Sequence, residues 1–192
     1  MSLWTDLVAE IISLTNRPDL TAETDLALRQ AVRAAHKSGK YWRDLALVSV
    51  TGLSEDTLQD IPLSNFPQFR QAIYVKSGTG DKFYKAIAID DLLDDYNVFK
   101  LNVYYGFGTS IKLRSSAPET SYDVAYYKYP IVSPTSSFDS WIADQHRDLL
   151  VALAASNVCG MVGEQEIKSR LDVLVNIGMQ DLISDNIEIE GR

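Results

Sequence analysis

Apolar positions fall at helical spacing at both ends of this chain and at alternate positions in its middle. Leu3, Leu7, Ile11 and Leu14 mark one face of a first predicted helix. It is expected to stop near Asn16-Arg17-Pro18, because proline disfavours helix in the residue before it. Thr21 is placed to cap a second helix, with Glu23 and Asp25 in its first turn. Leu28, Val32 and Ala35 form the stripe of that helix, and Lys37 and Lys40 around Gly39 read as its stop.

The period then changes. Ala46, Val48 and Val50 alternate with Leu47 and Ser49 until Gly52, which predicts a strand. Phe69 to Val75 and Phe83 to Ile89 read as two more, joined across Ser77-Gly78-Thr79-Gly80-Asp81 as a hairpin. Asp90 to Tyr96 reads as a short helical turn. Leu101, Val103 and Tyr105 run into Gly106-Phe107-Gly108, and Ile111 and Leu113 return, a second hairpin. Tyr122, Val124 and Tyr126 give a last strand, closed by Pro130 and Pro134. Nine of the ten tyrosines lie between Tyr74 and Tyr129.

Helix resumes after Ser137-Phe138-Asp139-Ser140. Leu149, Leu150, Leu153 and Val158 supply an apolar face, Gly160 and Gly163 interrupt it, and Glu164 and Glu166 favour a new start. Ile167, Leu171, Leu174 and Leu182 form the last stripe. The expected architecture is α+β: an antiparallel helical bundle (residues 1–44 and 136–184) with an inserted small antiparallel β domain (45–135). A C-terminal extended tail (185–192) follows, in which Ile187-Glu188-Ile189-Glu190 alternates and would put both isoleucines on one side.

Composition narrows the function classes. The chain has 192 residues, 46% hydrophobic and 23% charged, enough for a core without wholesale disorder. Its formal charge of −8 opposes nucleic-acid binding, which needs clustered Lys and Arg. One cysteine, Cys159, excludes an intrachain disulfide and a multi-cysteine metal cluster. The start lacks the pattern of a signal peptide, and no apolar run approaches the roughly 18 residues that span a membrane. A soluble protein made in the cytoplasm is expected.

No constellation of catalytic type stands out. Asp90, Asp91, Asp94 and Asp95 form the densest acidic cluster, but the calcium-loop pattern with its central glycine and terminal glutamate is missing. His36 sits beside Lys37 at a helix end, and His146 lies in the polar stretch Asp144 to Asp148. Neither has an evident metal or triad partner. Gly106-Phe107-Gly108 lacks the third glycine and the following helix of a phosphate loop. It reads as a hairpin tip where Tyr104, Tyr105 and Phe107 either anchor an interface or cover the sheet. The reading is of a protein that is not an enzyme, with no catalytic residue, cofactor or metal.

Three segments carry a resemblance: Leu14-Thr15-Asn16-Arg17-Pro18-Asp19-Leu20 after the first helix, Glu23-Thr24-Asp25-Leu26-Ala27-Leu28-Arg29 ending in Ala34-Ala35-His36, and Phe138-Asp139-Ser140-Trp141-Ile142-Ala143-Asp144. Together the chain resembles the head-to-tail adaptor (connector) proteins of tailed bacteriophages. The resemblance implies a structural virion protein of the neck. It implies a homo-oligomeric ring of twelve copies between the portal protein and the tail (nozzle) protein, with DNA passing through the lumen without specific binding during genome ejection. It also implies that a C-terminal extension docks on the portal, here Ile187, Glu188, Ile189, Glu190, Gly191 and Arg192. The final Ile-Glu-Gly-Arg also matches a protease-recognition tag.

Ring contacts are heterologous and close by rotation, and an interface of standard size buries roughly 1,600 Å². Trp4, Trp42 and Trp141 are candidate anchors or core residues. Two alternatives stay open: a tail-completion or neck protein at another level of the same axis, and a carbohydrate-binding module with Tyr104, Tyr105, Tyr126 and Tyr127 as stacking platforms.

Overall fold

The computed structural model describes residues 2–190, apart from 56, 79, 81, 94–98 and 133–137. The chain divides into two compact units, Met1–Asp44 with Tyr129–Arg192, and Leu45–Lys128.

The first unit is helical. Helix α1 (Leu3–Thr15) is capped by Ser2, whose Oγ accepts the Thr5 N–H, and ends at Asn16 in the left-handed conformation. Its buried stripe is Trp4, Leu7, Ile11 and Thr15. Leu14, expected on this face, lies at its margin and is half exposed. Helix α2 (Thr21–Lys37) buries Leu28, Val32 and Ala35 as expected, but Leu20 is its N-cap. The Thr21 hydroxyl instead donates to the Pro18 carbonyl.

After the short α3 (Trp141–Gln145), helix α4 (Arg147–Val162) runs through the middle of the unit and packs on α1, α2, α3 and α5 (Gln165–Glu190). It is apolar nearly all round, as a helix enclosed by neighbours must be. Gly160 is accommodated inside it, and only Gly163, at φ +81°, stops it. Where α5 crosses, a Cβ at Gly178 would lie 3.1 Å from that of Leu149, so the glycine permits the close approach. Cys159 is buried in α4, and burial raises its thiol above the ordinary value.

Helix α5 continues to Glu190, so residues 187–190 are helical and not an extended tail. No glycine or proline follows Gly178 before Gly191, and each further helical residue adds a backbone hydrogen bond. The four-residue Ile-Glu alternation has no partner strand to favour extension. Gly191 and Arg192 lie outside the described residues.

The second unit overturns the expectation of a helical bundle carrying a small antiparallel insertion. Seven strands form one mixed sheet, curled into a half-barrel: β1 (Leu45–Leu53), β2 (Leu58–Pro62), β3 (Phe69–Ser77), β4 (Phe83–Ala86), β5 (Val103–Phe107), β6 (Ser110–Arg114) and β7 (Glu119–Lys128). Their order is β1-β7-β3-β4-β5-β6-β2. Strand β2 has too short a pattern to be read as a strand alone; it forms because β6 offers it an edge.

Strands β4 and β5 are parallel, Lys85 facing Val103 and Ala86 facing Tyr104. Residues 87–102 make the crossover that parallel pairing needs. They include a 3-10 turn at Ile89–Asp91; Asp94 and Asp95 of the acidic cluster lie outside the described residues.

The tyrosines explain why this unit is large. Tyr84, Tyr104, Tyr122 and Tyr126 point to one face with Phe66, Val75, Leu113 and Val124 and make a separate core. A buried phenol needs a partner for its hydroxyl. Tyr104 donates to the Ile73 carbonyl and Tyr126 to that of Pro67, each at 3.1 Å, while Tyr84 shares a hydrogen bond with Ser115.

Burial pushes the Tyr122 phenol up to about 12. In the unfolded chain it ionises near 10. The stability this group contributes is therefore complete below about pH 10 and is lost as pH rises toward about 12. Denaturant titrations across that window should show falling stability, with a shallower fall in Tyr122→Phe.

Candidate functional site at the Trp141 junction

A buried polar cluster joins the end of α2 and the turn just after it to Ser140, 104 residues beyond His36. Ser140 is extended and caps α3, its Oγ accepting the Ala143 N–H at 3.3 Å. His36 lies in the last turn of α2, and Asp44 closes the 3-10 turn Trp42–Asp44. His36 Nδ1 is 3.0 Å from both Asp44 carboxylate oxygens, and Nε2 is 3.0 Å from Ser140 Oγ. Trp141 Nε1–H donates to Asp44 Oδ1 at 2.8 Å.

A carboxylate only accepts, so His36 Nδ1 carries the hydrogen. Nε2 then accepts the Ser140 hydroxyl in the neutral ring, or donates to its oxygen in the charged ring.

Ser140, His36 and Asp44 share the connectivity of a hydrolytic triad. The geometry suits a clamp better. All three are about 97% buried or more, with exposures of 3%, 2% and 3%, and the serine oxygen is already engaged by both the cap and the imidazole. A nucleophile must instead meet its substrate. His36, read from the sequence as a helix-end residue without an evident partner, is thus an interior partner of Asp44.

Trp141 connects this relay to a surface cleft. Its indole stands edge-on to Tyr41, His36 and His146, with ring centroids 5.3, 5.9 and 6.1 Å away. The Arg43 guanidinium sits 5.2 Å from the Trp42 ring centre and 5.3 Å from that of Trp141. Behind them is a cleft of about 190 Å³ whose walls include Tyr41, Gln145, His146 and Leu182, with Asp185 and Asn186 at one side. His146 Nε2 lies 3.3 Å from Asp185 Oδ2, without hydrogen-bond alignment.

The other candidate anchor, Trp4, is core: its indole N–H donates to Asp25 and its ring meets Phe138 edge-on at 5.0 Å. Segments near the two ends of the chain therefore meet in space, through Trp4–Phe138 and His36–Ser140.

No protein-family model matches this chain, and no curated protein matches it in sequence.

The hairpin-tip residues separate. Tyr104 belongs to the sheet core and Tyr105 is also buried, whereas Phe107 is 56% exposed. The predicted hairpin forms, but Gly106 and Phe107 end β5, paired with Ile111 and Ser110, and the turn itself is Gly108, at φ +58°, with Thr109. Burial of Tyr104, Tyr105 and Tyr126 removes three of the four rings expected as sugar-stacking platforms. Of the proposed portal-docking residues, Ile187 to Glu190 continue α5. Asp90 and Asp91 are exposed, and among the described residues no group of three or more His, Cys, Asp or Glu could hold a metal ion. No helix there is long and apolar enough to cross a membrane.

Sequence reasoning missed Asp44, Ser140 and Arg43 as a site. The usable signal for Ser140 was its position as a cap; nothing local marks Asp44 or Arg43.

Asp44→Ala should leave two buried N–H donors without acceptors, at about 1–3 kcal/mol each. Ser140→Ala should cost about 1–2 kcal/mol through the lost cap. Denaturant unfolding should rank them in that order. An active-site serine reagent such as a fluorophosphonate should leave Ser140 unlabelled.

Proposed function

We propose that this protein is a structural subunit of a phage-type neck, a head-to-tail adaptor whose copies close into a ring and dock between portal and tail. It works by packing and carries no reaction. The observation that bears most weight is an apolar ridge on α5. Val173, Leu174 and Ile177 are 58%, 55% and 52% exposed, while Leu171 and Leu182 on the other side of the same helix are in the core. A helix apolar on both sides needs a second neighbour, and a contiguous exposed apolar patch marks an interaction surface.

A ring supplies that neighbour. In a heterologous interface the ridge meets a different surface of the next copy, and rotation closes the series. The resemblance of the α1–α2 and Trp141 segments names the kind of ring. The net charge of −8 suits a conduit that DNA traverses without sticking. The end of α5 and the residues after it supply the portal contact in this reading.

The test is to mix the protein with assembled portal rings and image the mixture by electron microscopy. A coaxial ring of added density beneath the portal is expected. A clean monomer with no added density would overturn the adaptor reading; a ring that ignores the portal would favour a neck protein at another level.

Leu174→Asp with Ile177→Asp should change monomer stability by no more than about 0.5 kcal/mol per site, yet prevent ring closure in the same images. Removing residues 187–192 should leave the circular dichroism of the monomer nearly unchanged and weaken portal binding. Unchanged binding would remove the docking role from this segment.

A further inference from the structure

Arg43 is held in place but left unneutralised. Its guanidinium makes cation–π contacts to Trp42 and Trp141, and among the described residues no carboxylate or carbonyl receives its N–H groups. Three other arginines of this unit pair with carboxylates, Arg17 with Asp19, Arg147 with Glu10 and Arg170 with Glu166, and Arg43 differs from them in having aromatic rings as its neighbours. Stacking between two indoles leaves the edge of the guanidinium plane free, and that edge presents the donor fork matching a carboxylate.

The stack is also pre-set. Trp141 is locked by its hydrogen bond to Asp44, which His36 and Ser140 hold from behind. Little side-chain freedom remains to be lost when a ligand arrives, which is the condition for a productive socket.

We infer that the Arg43 cleft is a binding socket for an acidic peptide segment of a partner protein. A Glu or Asp carboxylate would take the guanidinium fork, and a neighbouring apolar side chain would enter the aromatic cleft beside it.

Three observations favour a peptide carboxylate over a nucleic-acid phosphate. Asp185 is largely exposed at the same cleft and opposes a dense anion such as phosphate more than a single carboxylate. The chain as a whole carries a charge of −8. The floor, with Tyr41 and Leu182 buried, is apolar and suits an aliphatic or aromatic neighbour. The socket is independent of the ring reading, since it requires only a partner segment of this chemistry.

The test uses isotope-labelled full-length protein and NMR, following the Arg43 side-chain N–H and the indole N–H signals of Trp42 and Trp141. The probe is the capped peptide acetyl-Gly-Glu-Leu-Gly-amide, with its Gln counterpart and a thymidylate ten-mer as comparators. Saturable shifts at these signals with a millimolar dissociation constant are expected, with about tenfold weaker binding of the Gln peptide. Arg43→Lys should keep the fold and the charge but weaken the Glu peptide about fivefold or more, because the fork and the stack are lost. Absence of saturable shifts up to about 10 mM, or equal binding of the Glu and Gln peptides, would overturn the proposal. Tighter binding of the ten-mer than of the Glu peptide would overturn it in favour of a nucleic-acid site.

Discussion

The helical unit depends on one buried carboxylate. Asp44 accepts hydrogen bonds from His36 and from Trp141, and through His36 it is tied to Ser140, the cap of α3. A carboxylate out of water is tolerated only when its oxygens are hydrogen-bonded, so the residues that supply its donors are constrained together. That single requirement fixes where α2 ends, how the 3-10 turn at Trp42–Asp44 is oriented, and where α3 begins. It also sets the plane of Trp141, and hence the stack that immobilises Arg43. A relay that resembles catalytic machinery in its connectivity thus acts at a distance, by holding a surface in shape.

The β unit is governed by a different constraint. Its tyrosines bring large apolar rings inside, each with a hydroxyl that needs a partner. Backbone carbonyls at Ile73 and Pro67 and the Ser115 hydroxyl serve Tyr104, Tyr126 and Tyr84. The sheet curls around these rings, and its first and last strands in sequence, β1 and β7, lie side by side. A segment whose two ends emerge next to one another can sit within another fold without parting its halves.

The last two long helices differ in how far their neighbours cover them. α4 is enclosed on every side, but α5 is enclosed on one side only and keeps its outer apolar residues in solvent. That asymmetry is costly for a free subunit and is relieved when a neighbour covers it. The Arg43 cleft differs in kind, with a guanidinium in an aromatic frame and, among the described residues, no carboxylate paired to it. It suits selective recognition, whereas the ridge suits area burial.

Much of the secondary structure was legible from local pattern. The stripe Leu28, Val32, Ala35 and the alternation Tyr122, Val124, Tyr126 each record which side of an element is buried, and burial is what the periodicity reports. The antiparallel pairs β3–β4 and β5–β6 were legible because backbone geometry restricts the residues that can join two strands closely. The size of the sheet was not, because β2 and the parallel β4–β5 pair exist only through partners elsewhere in the chain. The end of α5 was misread because a four-residue alternation is weaker than helix propagation. The site was illegible for the same reason as the sheet: His36 and Ser140 are 104 residues apart, and Trp141 and Asp44 97. By itself the sequence determined which residues turn inward within each element, since that follows from spacing along one helix or strand. Only the tertiary structure decided which polar groups meet in the interior and which rings frame Arg43, since hydrogen bonding is satisfied in space and not along the chain.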